Sequence, residues 1–277
     1  MKIYINTVCI VAITTIIVIT SCTNTKEKIR KEHSLEITKE KTITTTNHAK
    51  KHWSYVGETS PEHWAEIEKN SDCGGKFQSP INIVSLNAIV DTNLKPLAIH
   101  YVSNTKIHDV VNNGHSIQYN FEEGDYLMYK DTKYNLKQIH FHESSEHTIN
   151  GIRYPIVIHM VHINSKGEYL VLAVMAKEGK TSAPFRFLES YLPVKNGETK
   201  TIGMPFNLSY NLPKDKGYYT YVGSLTTPPC TQGVNWFIFK EPITISLRQV
   251  KILRDLMPLN NYRNEQPLNG REVKMTK

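Results

Sequence analysis

The sequence lacks an internal repeat, and most of it lacks a strong charge of either sign. A chain of 277 residues without repeats is long enough to bury one substantial core. The formal net charge of +7 comes mainly from Lys2 and from residues 23–51, which hold eight basic and four acidic residues, so residues 52–277 carry only about +2. The basic charge therefore gives no reason to expect a nucleic-acid partner.

The amino-terminal region contains an uncharged apolar run, residues 3–19, which Lys2 precedes and Thr20-Ser21-Cys22 follows. The segment Ile19-Thr-Ser-Cys22 resembles a bacterial lipoprotein signal, in which cleavage leaves the cysteine acylated. We therefore interpret residues 1–21 as a lipoprotein-type signal peptide and Cys22 as the lipidation site, in preference to an uncleaved anchor or a plain secretion signal. Residues 22–51, rich in Thr, Lys, Glu and Asn, would form a flexible tether. This interpretation predicts an exported domain that is lipid-anchored on the periplasmic or cell-surface side.

Residues 52–277 contain short alternating segments separated by Gly, Asn and Pro turns, a pattern that predicts a mostly β architecture. A few short helices are also expected. Ser60-Pro61 would begin one, residues 183–191 a second, and Ser246 would cap a third with Gln249 in the capping-box position. The apolar face of the third helix would comprise Leu247, Val250, Leu253 and Met257.

Residues 134–142, Tyr-Asn-Leu-Lys-Gln-Ile-His-Phe-His, alternate with period two, which predicts a strand with one buried face. Ile139 and Phe141 would then point to one face, and the residues at the even positions to the other. Those residues are Leu136, Gln138, His140 and His142.

A hairpin would follow this strand, because Asn150-Gly151 suits a two-residue type I′ turn. If Ile149 pairs with Ile152, His142 lies opposite His159 and His140 lies opposite Val161.

Three imidazoles would then converge on one face and leave a fourth coordination position open, which is the arrangement of catalytic rather than structural zinc sites. The alternative is that His140-Phe-His142 binds no metal. In a chain with twelve histidines such a pair can occur by chance, and a register slip of one residue would turn His159 to the other face of the sheet.

Several stretches in order make residues 52–271 resemble an α-class carbonic anhydrase of bacterial type. They are His52-Trp-Ser-Tyr55, Gln78-Ser-Pro-Ile-Asn-Ile83, Asn112-Asn-Gly-His115, Gln138-Ile-His-Phe-His142, Ser145-Glu-His147, His159-Met-Val-His162, Gly223-Ser-Leu-Thr-Thr-Pro-Pro229 and Gln266-Pro-Leu-Asn269. The resemblance implies a central twisted, largely antiparallel sheet of about ten strands with a few peripheral helices. It also implies zinc-dependent, reversible hydration of carbon dioxide to bicarbonate.

The resemblance assigns roles residue by residue. His140, His142 and His159 would bind zinc; Thr226 and Glu146 would orient the attacking group, and His115 would shuttle the proton. Gln138 and the backbone carbonyl of Asn261 would hold the rings of the first two ligands. The remaining implied positions are the substrate wall and pocket (Val161, Val171, Leu225, Thr226, Thr227 and Trp236) and a disulfide between Cys73 and Cys230.

The resemblance also implies inhibition by sulfonamides and anions, and we further expect that the domain forms a homodimer. One departure stands out: the family usually places a glutamate two residues before the third ligand, where this chain has Val157. Two rival hypotheses stay open from the sequence. One is a cupin-type enzyme in which Glu146 itself binds the metal, and the other is a non-catalytic adhesion module on the same fold.

Overall fold

The structure, a computed structural model, describes residues 52–277. The segments predicted as signal peptide and tether, with the proposed lipidation site Cys22, lie outside the described residues. Within residues 52–277 no helix has the length and apolar character needed to cross a membrane.

The described residues are organised mainly as β-strands, which we number in chain order. The strands are β1 (Asn82–Ile83), β2 (Ile89–Val90), β3 (Ala98–His100), β4 (Lys106–Asn112), β5 (Ile117–Phe121), β6 (Tyr126–Tyr129), β7 (Thr132–His142), β8 (Thr148–Ile149), β9 (Ile156–Ile163), β10 (Tyr169–Glu178), β11 (Thr199–Pro205), β12 (Tyr218–Ser224), β13 (Gln232–Phe239), β14 (Ile243–Ile245) and β15 (Lys274–Met275). The α-helices are α1 (Trp64–Ile67), α2 (Ala183–Glu189) and α3 (Leu247–Arg254), and short 3₁₀ turns span Gly57–Thr59, Pro61–His63, Ser85–Asn87 and Leu208–Asn211.

Thirteen of these strands form one sheet, in which ten follow a continuous path: β11-β4-β5-β7-β9-β10-β13-β12-β15-β2. Most neighbours are antiparallel, while β10 runs parallel to β13 and β14, and β15 runs parallel to β2. β1 and β8 form a separate parallel pair. The prediction of a mostly β fold with a central sheet of about ten strands and few short helices is confirmed.

The central strands are buried on both faces, which explains their continuous apolar runs. Along β10, Leu172 and Val174 pack into the larger hydrophobic cluster, whereas Ala173 and Met175 pack into the smaller one on the opposite side. The smaller cluster lies beside the histidines and contains Val161, Val171 and Trp236.

The pairing of β7 with β9 differs from the predicted register. His140 lies opposite His159 and His142 lies opposite Val157, so the predicted pairing is wrong by two residues. The turn itself forms as predicted: Ile149 pairs with Ile152, and Asn150 and Gly151 have φ of 53° and 77°. However, residues 143–147 leave the ladder between this turn and β7, so the turn does not set the register. Because the error is an even number of residues, His159 keeps the predicted face.

A bulge at Lys137 changes the direction of the side chains before it. The register of β7 against β9 shifts between Leu136 and Gln138, and one extra residue reverses the alternation of inward and outward side chains. Leu136 therefore packs in the larger core with Ile139 and Phe141. The prediction that Leu136 faces the same way as the histidines is wrong.

The helix predictions hold with two exceptions on the third helix: Leu247 is exposed, and Met257 lies beyond Arg254, where α3 ends. Helix α3 has the predicted capping box of Ser246 and Gln249, and Val250 and Leu253 are buried. Leu247, predicted on the buried face, is 55% exposed because that face is formed by Gln249, Val250 and Leu253, and Leu247 lies to its side.

Candidate metal centre and active site

Three histidines from β7 and β9 meet at the floor of a cleft. The centroids of the His140, His142 and His159 rings lie 4.8–5.2 Å apart, and their candidate ligand nitrogens all lie within 4.8 Å of one another. His142 and His159 are buried, while His140 is partly exposed to the cleft. Cross-strand pairing of His140 with His159 brings the two strands' imidazoles together.

Hydrogen bonds select the tautomers of the two β7 histidines. His140 Nδ1 lies 2.8 Å from Oε1 of Gln138, and His142 Nδ1 lies 2.5 Å from the backbone oxygen of Asn261. Because both oxygens are acceptors, each Nδ1 must carry the proton, which leaves each Nε2 with a lone pair. Nε2 of His142 is buried without a hydrogen-bond partner among the described residues. Both rings are therefore prepared to bind a metal through Nε2.

Asn261 is fixed by its own side chain. Its amide nitrogen donates to the backbone oxygens of His115 (2.9 Å) and Phe141 (3.2 Å), and its amide oxygen accepts from the backbone N–H of Glu143 (2.7 Å). These bonds join the carboxyl-terminal loop to the end of β7, so the carbonyl that orients His142 is held rigidly.

The third histidine has the opposite orientation. Nδ1 of His159 lies 3.8 Å from Oε2 of Glu146, and Nε2 of His142 lies 3.4 Å from the same oxygen. Nδ1 of His159 therefore points toward the same space as Nε2 of His142. Nε2 of His159 is buried without a hydrogen-bond partner among the described residues.

Burial lowers the pKa of His140 and of His159 well below the usual value, and the neighbouring imidazoles lower it further. Both rings are thus neutral at pH 7, as a metal ligand must be.

Glu146 lies beneath the histidines and is fully buried. Its Oε1 accepts a 3.0 Å hydrogen bond from the backbone N–H of Arg263. Burial raises the pKa of Glu146, while His142, the hydroxyl of Thr226 and Arg263 lower it. Thr226 is itself 5% exposed, on the loop that follows β12. The structure thus brings together the two residues that the sequence paired.

The cleft has one apolar side. A cavity of about 270 Å³ above His140 and His159 is lined by Val161, Val171, Leu225 and Trp236, together with Thr226 and Thr227. These are the residues predicted for the substrate wall and pocket. Val161 lies opposite Gln138 rather than opposite His140, but on the predicted face.

His115 lies on the other side of the cleft, in a cavity shared with Gln138, His140 and Thr227. Its ring stacks on Trp53 at 3.6 Å between centroids, and its Nε2 lies 3.1 Å from Nε2 of His52. Burial, and secondarily His52, lowers the pKa of His115 to about 4. In this arrangement His115 is neutral at pH 7.

A disulfide joins Cys73 to Cys230, as the resemblance implied. Cys230 is buried three residues after Thr227, and its backbone N–H donates to the oxygen of Thr227 at 2.8 Å. The disulfide therefore ties the amino-terminal part of the domain to the threonine loop.

The donor set fits zinc. Three imidazoles converge, two of them with a buried nitrogen that has no partner among the described residues, and the cleft leaves the fourth side open to solvent and substrate. The fold and the site together define a zinc enzyme of the three-histidine type, built on a large twisted sheet.

Comparison with known proteins makes the class specific. The sequence model described as eukaryotic-type carbonic anhydrase matches residues 59–277. A carbonic anhydrase of Klebsiella pneumoniae is 40% identical over 226 residues, which cover 80% of this chain and 90% of that protein. One of Neisseria gonorrhoeae is 40% identical over 225 residues, covering 80% and 87%. The solved complex of the α-carbonic anhydrase from Thermovibrio ammonificans with sulfanilamide shares 40% identity and a TM-score of 0.77, covering 80% of this chain and 98% of that one.

The chain belongs to the α-class carbonic anhydrase family. It is a zinc enzyme that hydrates carbon dioxide. The cupin hypothesis is therefore wrong, and Glu146 lies outside the group of side chains placed to hold a metal.

Sequence reasoning missed several residues around the site. Trp53 and His52 hold His115, the backbone of Arg263 holds Glu146, and His147 is buried beside His159. His52, Trp53 and His147 fall within stretches that carried the family resemblance, but nothing in their spacing indicated these contacts.

Proposed function

We propose that His140, His142 and His159 bind the zinc on which hydration of carbon dioxide depends, and that Thr226 and Glu146 orient the reacting water. The observation that carries this proposal is the convergence of three imidazoles at the floor of a half-apolar cleft. Zinc, when bound, supplies a Lewis acid that lowers the pKa of a coordinated water to about 7, a magnitude established on carbonic anhydrases themselves.

Thr226 acts through the direction of its hydrogen bonds. A carboxylate accepts hydrogen bonds but donates none, so the hydroxyl of Thr226 donates its hydrogen bond to Glu146. Oγ1 of Thr226 can then only accept a hydrogen bond from the cleft. A water or hydroxide in the cleft would donate its proton to Thr226 and present a lone pair toward the apolar side. Val161, Val171, Leu225 and Trp236 on that side suit carbon dioxide, which is small and apolar.

His115 would accept the proton that hydration releases. An imidazole does this best when it ionises near neutrality. Because burial, and secondarily His52, lowers its pKa to about 4 where it stacks on Trp53, we propose that His115 works from a position released from these contacts.

Inhibition by sulfonamides and anions follows from the same site. The sulfanilamide complex of the Thermovibrio ammonificans protein supports sulfonamide binding here. The backbone around Thr227 would lie close to a bound anion or sulfonamide, since Thr227 lines both cavities of the cleft.

The proposal is tested by zinc per chain and stopped-flow hydration of carbon dioxide, with and without a sulfonamide. The His159→Ala variant should lose zinc, whereas Thr226→Val should keep zinc and lose at least about tenfold in kcat/KM. Thr201→Val, at an exposed position on β11, is the matched control and should behave as the unaltered protein. A protein that binds zinc but shows no hydration would favour the adhesion module instead.

We also propose that the domain is exported and attached to a membrane by an acylated Cys22, through a tether over residues 22–51. The disulfide between Cys73 and Cys230 supports an oxidising compartment. Palmitate labelling and fractionation of a Cys22→Ser variant test this, and the variant should be unlabelled and released from membranes. Labelling that persists would contradict the assignment. Light scattering of the purified domain tests the expected homodimer.

A further inference from the structure

Two buried ring nitrogens beside the metal centre have no hydrogen-bond partner among the described residues: Nδ1 of His147 and Nε2 of His159. The two side chains are 0% and 1% exposed. Buried polar groups in folded proteins are almost always paired, with protein or with an ordered water. Two unpaired nitrogens on neighbouring rings therefore indicate a shared partner.

The two rings are too far apart to bond directly. Their centroids are 6.4 Å apart with an angle of 76° between planes, and both rings pack on the indole of Trp236, at 4.6 Å from His147 and 5.0 Å from His159. One oxygen atom with two hydrogen bonds of ordinary length spans about 5 Å between nitrogens. Rings whose centroids are 6.4 Å apart leave room for a single small molecule between nitrogens that face one another.

The surrounding side chains cannot supply that partner. Val157, two residues before His159 on the same face of β9, is apolar and fully buried, and belongs with Trp236 to the smaller hydrophobic cluster. The other nitrogen of His147, Nε2, is already held by the hydroxyl of Tyr221 at 2.7 Å. That hydroxyl lies 2.7 Å from Oγ of Ser79, so the His147 ring is fixed with Nδ1 pointing away from Tyr221.

We propose that one buried water molecule joins Nδ1 of His147 to Nε2 of His159, and that His147 positions the third zinc ligand through it. The inference rests on the proposed metal ligation by His159. If Nδ1 of His159 binds the metal, the neutral ring carries its proton on Nε2, and this N–H donates a hydrogen bond to the water. The water can accept from Nδ1 of His147 or donate to it, so either tautomer of His147 is served.

This arrangement accounts for the valine at position 157. Gln138 and the Asn261 carbonyl orient the first two ligand rings directly. The third ring would be oriented by a side chain outside its own strand, through solvent, in the space that a longer side chain at 157 would occupy. His147 is thus a positioning residue, and its removal should loosen zinc without touching it.

The experiment measures zinc release from the loaded protein to an excess of chelator, a readout independent of activity. His147→Phe removes the nitrogen, and Val157→Leu fills the space of the water. Each should speed zinc release at least about tenfold, the lower end for losing such a partner. The matched control is Val174→Leu, the same change on the opposite face of the neighbouring strand, which should release zinc within twofold of the unaltered rate.

The double variant His147→Phe/Val157→Leu separates this mechanism from two independent packing defects. If the two substitutions act through the same water, the double variant should release zinc at about the rate of the faster-releasing single variant. The proposal would be overturned if the two increases in zinc-release rate multiply in the double variant, or if His147→Phe releases zinc at the unaltered rate.

A crystal structure of the zinc-loaded, unaltered protein gives a test that does not depend on variants that fold. It should show a solvent peak within hydrogen-bond distance of both nitrogens, and a structure without such a peak overturns the proposal. A protein that binds no zinc at all would instead overturn the ligand assignment on which the inference rests.

Discussion

The disulfide between Cys73 and Cys230 should contribute much of the stability of the domain and little of its catalysis. The bonded residues are 157 positions apart. Closing a loop of that length lowers the entropy of the unfolded chain by an amount worth about 5 kcal/mol at 25 °C in the chain-entropy model. Because whole domains are stable by only about 5–15 kcal/mol, its loss would remove a large share of the free energy of unfolding.

Catalysis should survive because other bonds hold the same loop. The backbone N–H of Asp72 donates to the oxygen of Pro229 at 2.8 Å, and the side-chain amide of Gln78 donates to the oxygen of Cys230 at 3.4 Å. The turn from Thr227 to Cys230 also has its own 2.8 Å backbone bond. In the folded protein these contacts keep Thr226 and Thr227 in place.

The assay is equilibrium urea unfolding of the zinc-free Cys73→Ala/Cys230→Ala variant, since bound zinc would add its own stabilisation. We expect the free energy of unfolding to fall by about 2–5 kcal/mol, and kcat/KM of the zinc-loaded protein at 15 °C to stay within about threefold. The reduced, unaltered protein is the control, because it loses the loop closure but keeps both sulfurs packed against Tyr55 and Trp64. If the free energy of unfolding falls by less than about 1 kcal/mol in both proteins, the entropic argument is refuted. If the folded variant loses its activity, the claim that catalysis does not depend on the disulfide is refuted.

Four other predictions concern single side chains in the core and around the site. Burial lowers the pKa of His162 to about 3, so between pH 6.5 and about 3 the unfolded chain binds a proton that the folded chain does not. The free energy of unfolding therefore falls on acidification through this window. In urea titrations, His162→Gln should reduce this pH dependence by up to about 1.4 kcal/mol per pH unit. His115→Ala should lower maximal turnover about a hundredfold in weak buffer while zinc content is unchanged, and imidazole should restore part of it; His52→Ala should raise the pKa of His115 by NMR titration, and an unchanged pKa would contradict the pairing. Gln138→Leu should speed zinc release about ten- to a hundredfold, whereas Gln118→Leu, whose amide bonds Asn120 instead of a ligand, should not.

The convergence of the three histidines was predictable from a pattern that tolerates error. Alternation along β7 and the Asn150-Gly151 turn placed His140, His142 and His159 on one face, and the structure agrees. The predicted register was wrong by two residues, because residues 143–147 leave the ladder to bury Glu146 under the site. An even slip moves a side chain along the sheet without turning it over, so the conclusion survived.

Odd irregularities were not predictable in the same way. The bulge at Lys137 reverses the facing of Leu136, and no turn residue or glycine marks it in the sequence. The apolar runs of β9 and β10 gave no alternation to read, because both of their faces are buried. The strand count and architecture came from the family resemblance rather than from these local patterns.

The three candidate ligand rings differ in how their orientation is encoded. Gln138 holds His140 from two residues away on the same strand face, so a local pattern suffices to indicate it. The carbonyl that holds His142 belongs to Asn261, 119 residues later, and any residue type could supply a carbonyl there. Only the side chain of Asn261, which bonds β7 and the backbone of His115, gives a reason for that residue. His159 has no protein partner for its outer nitrogen among the described residues, and that absence is visible only once the rings are placed in space. The ring with the least direct support should therefore be where zinc binding is most sensitive to packing, and substitutions that add apolar volume at Val157 should speed zinc release more than the same substitutions at the apolar residues of β7.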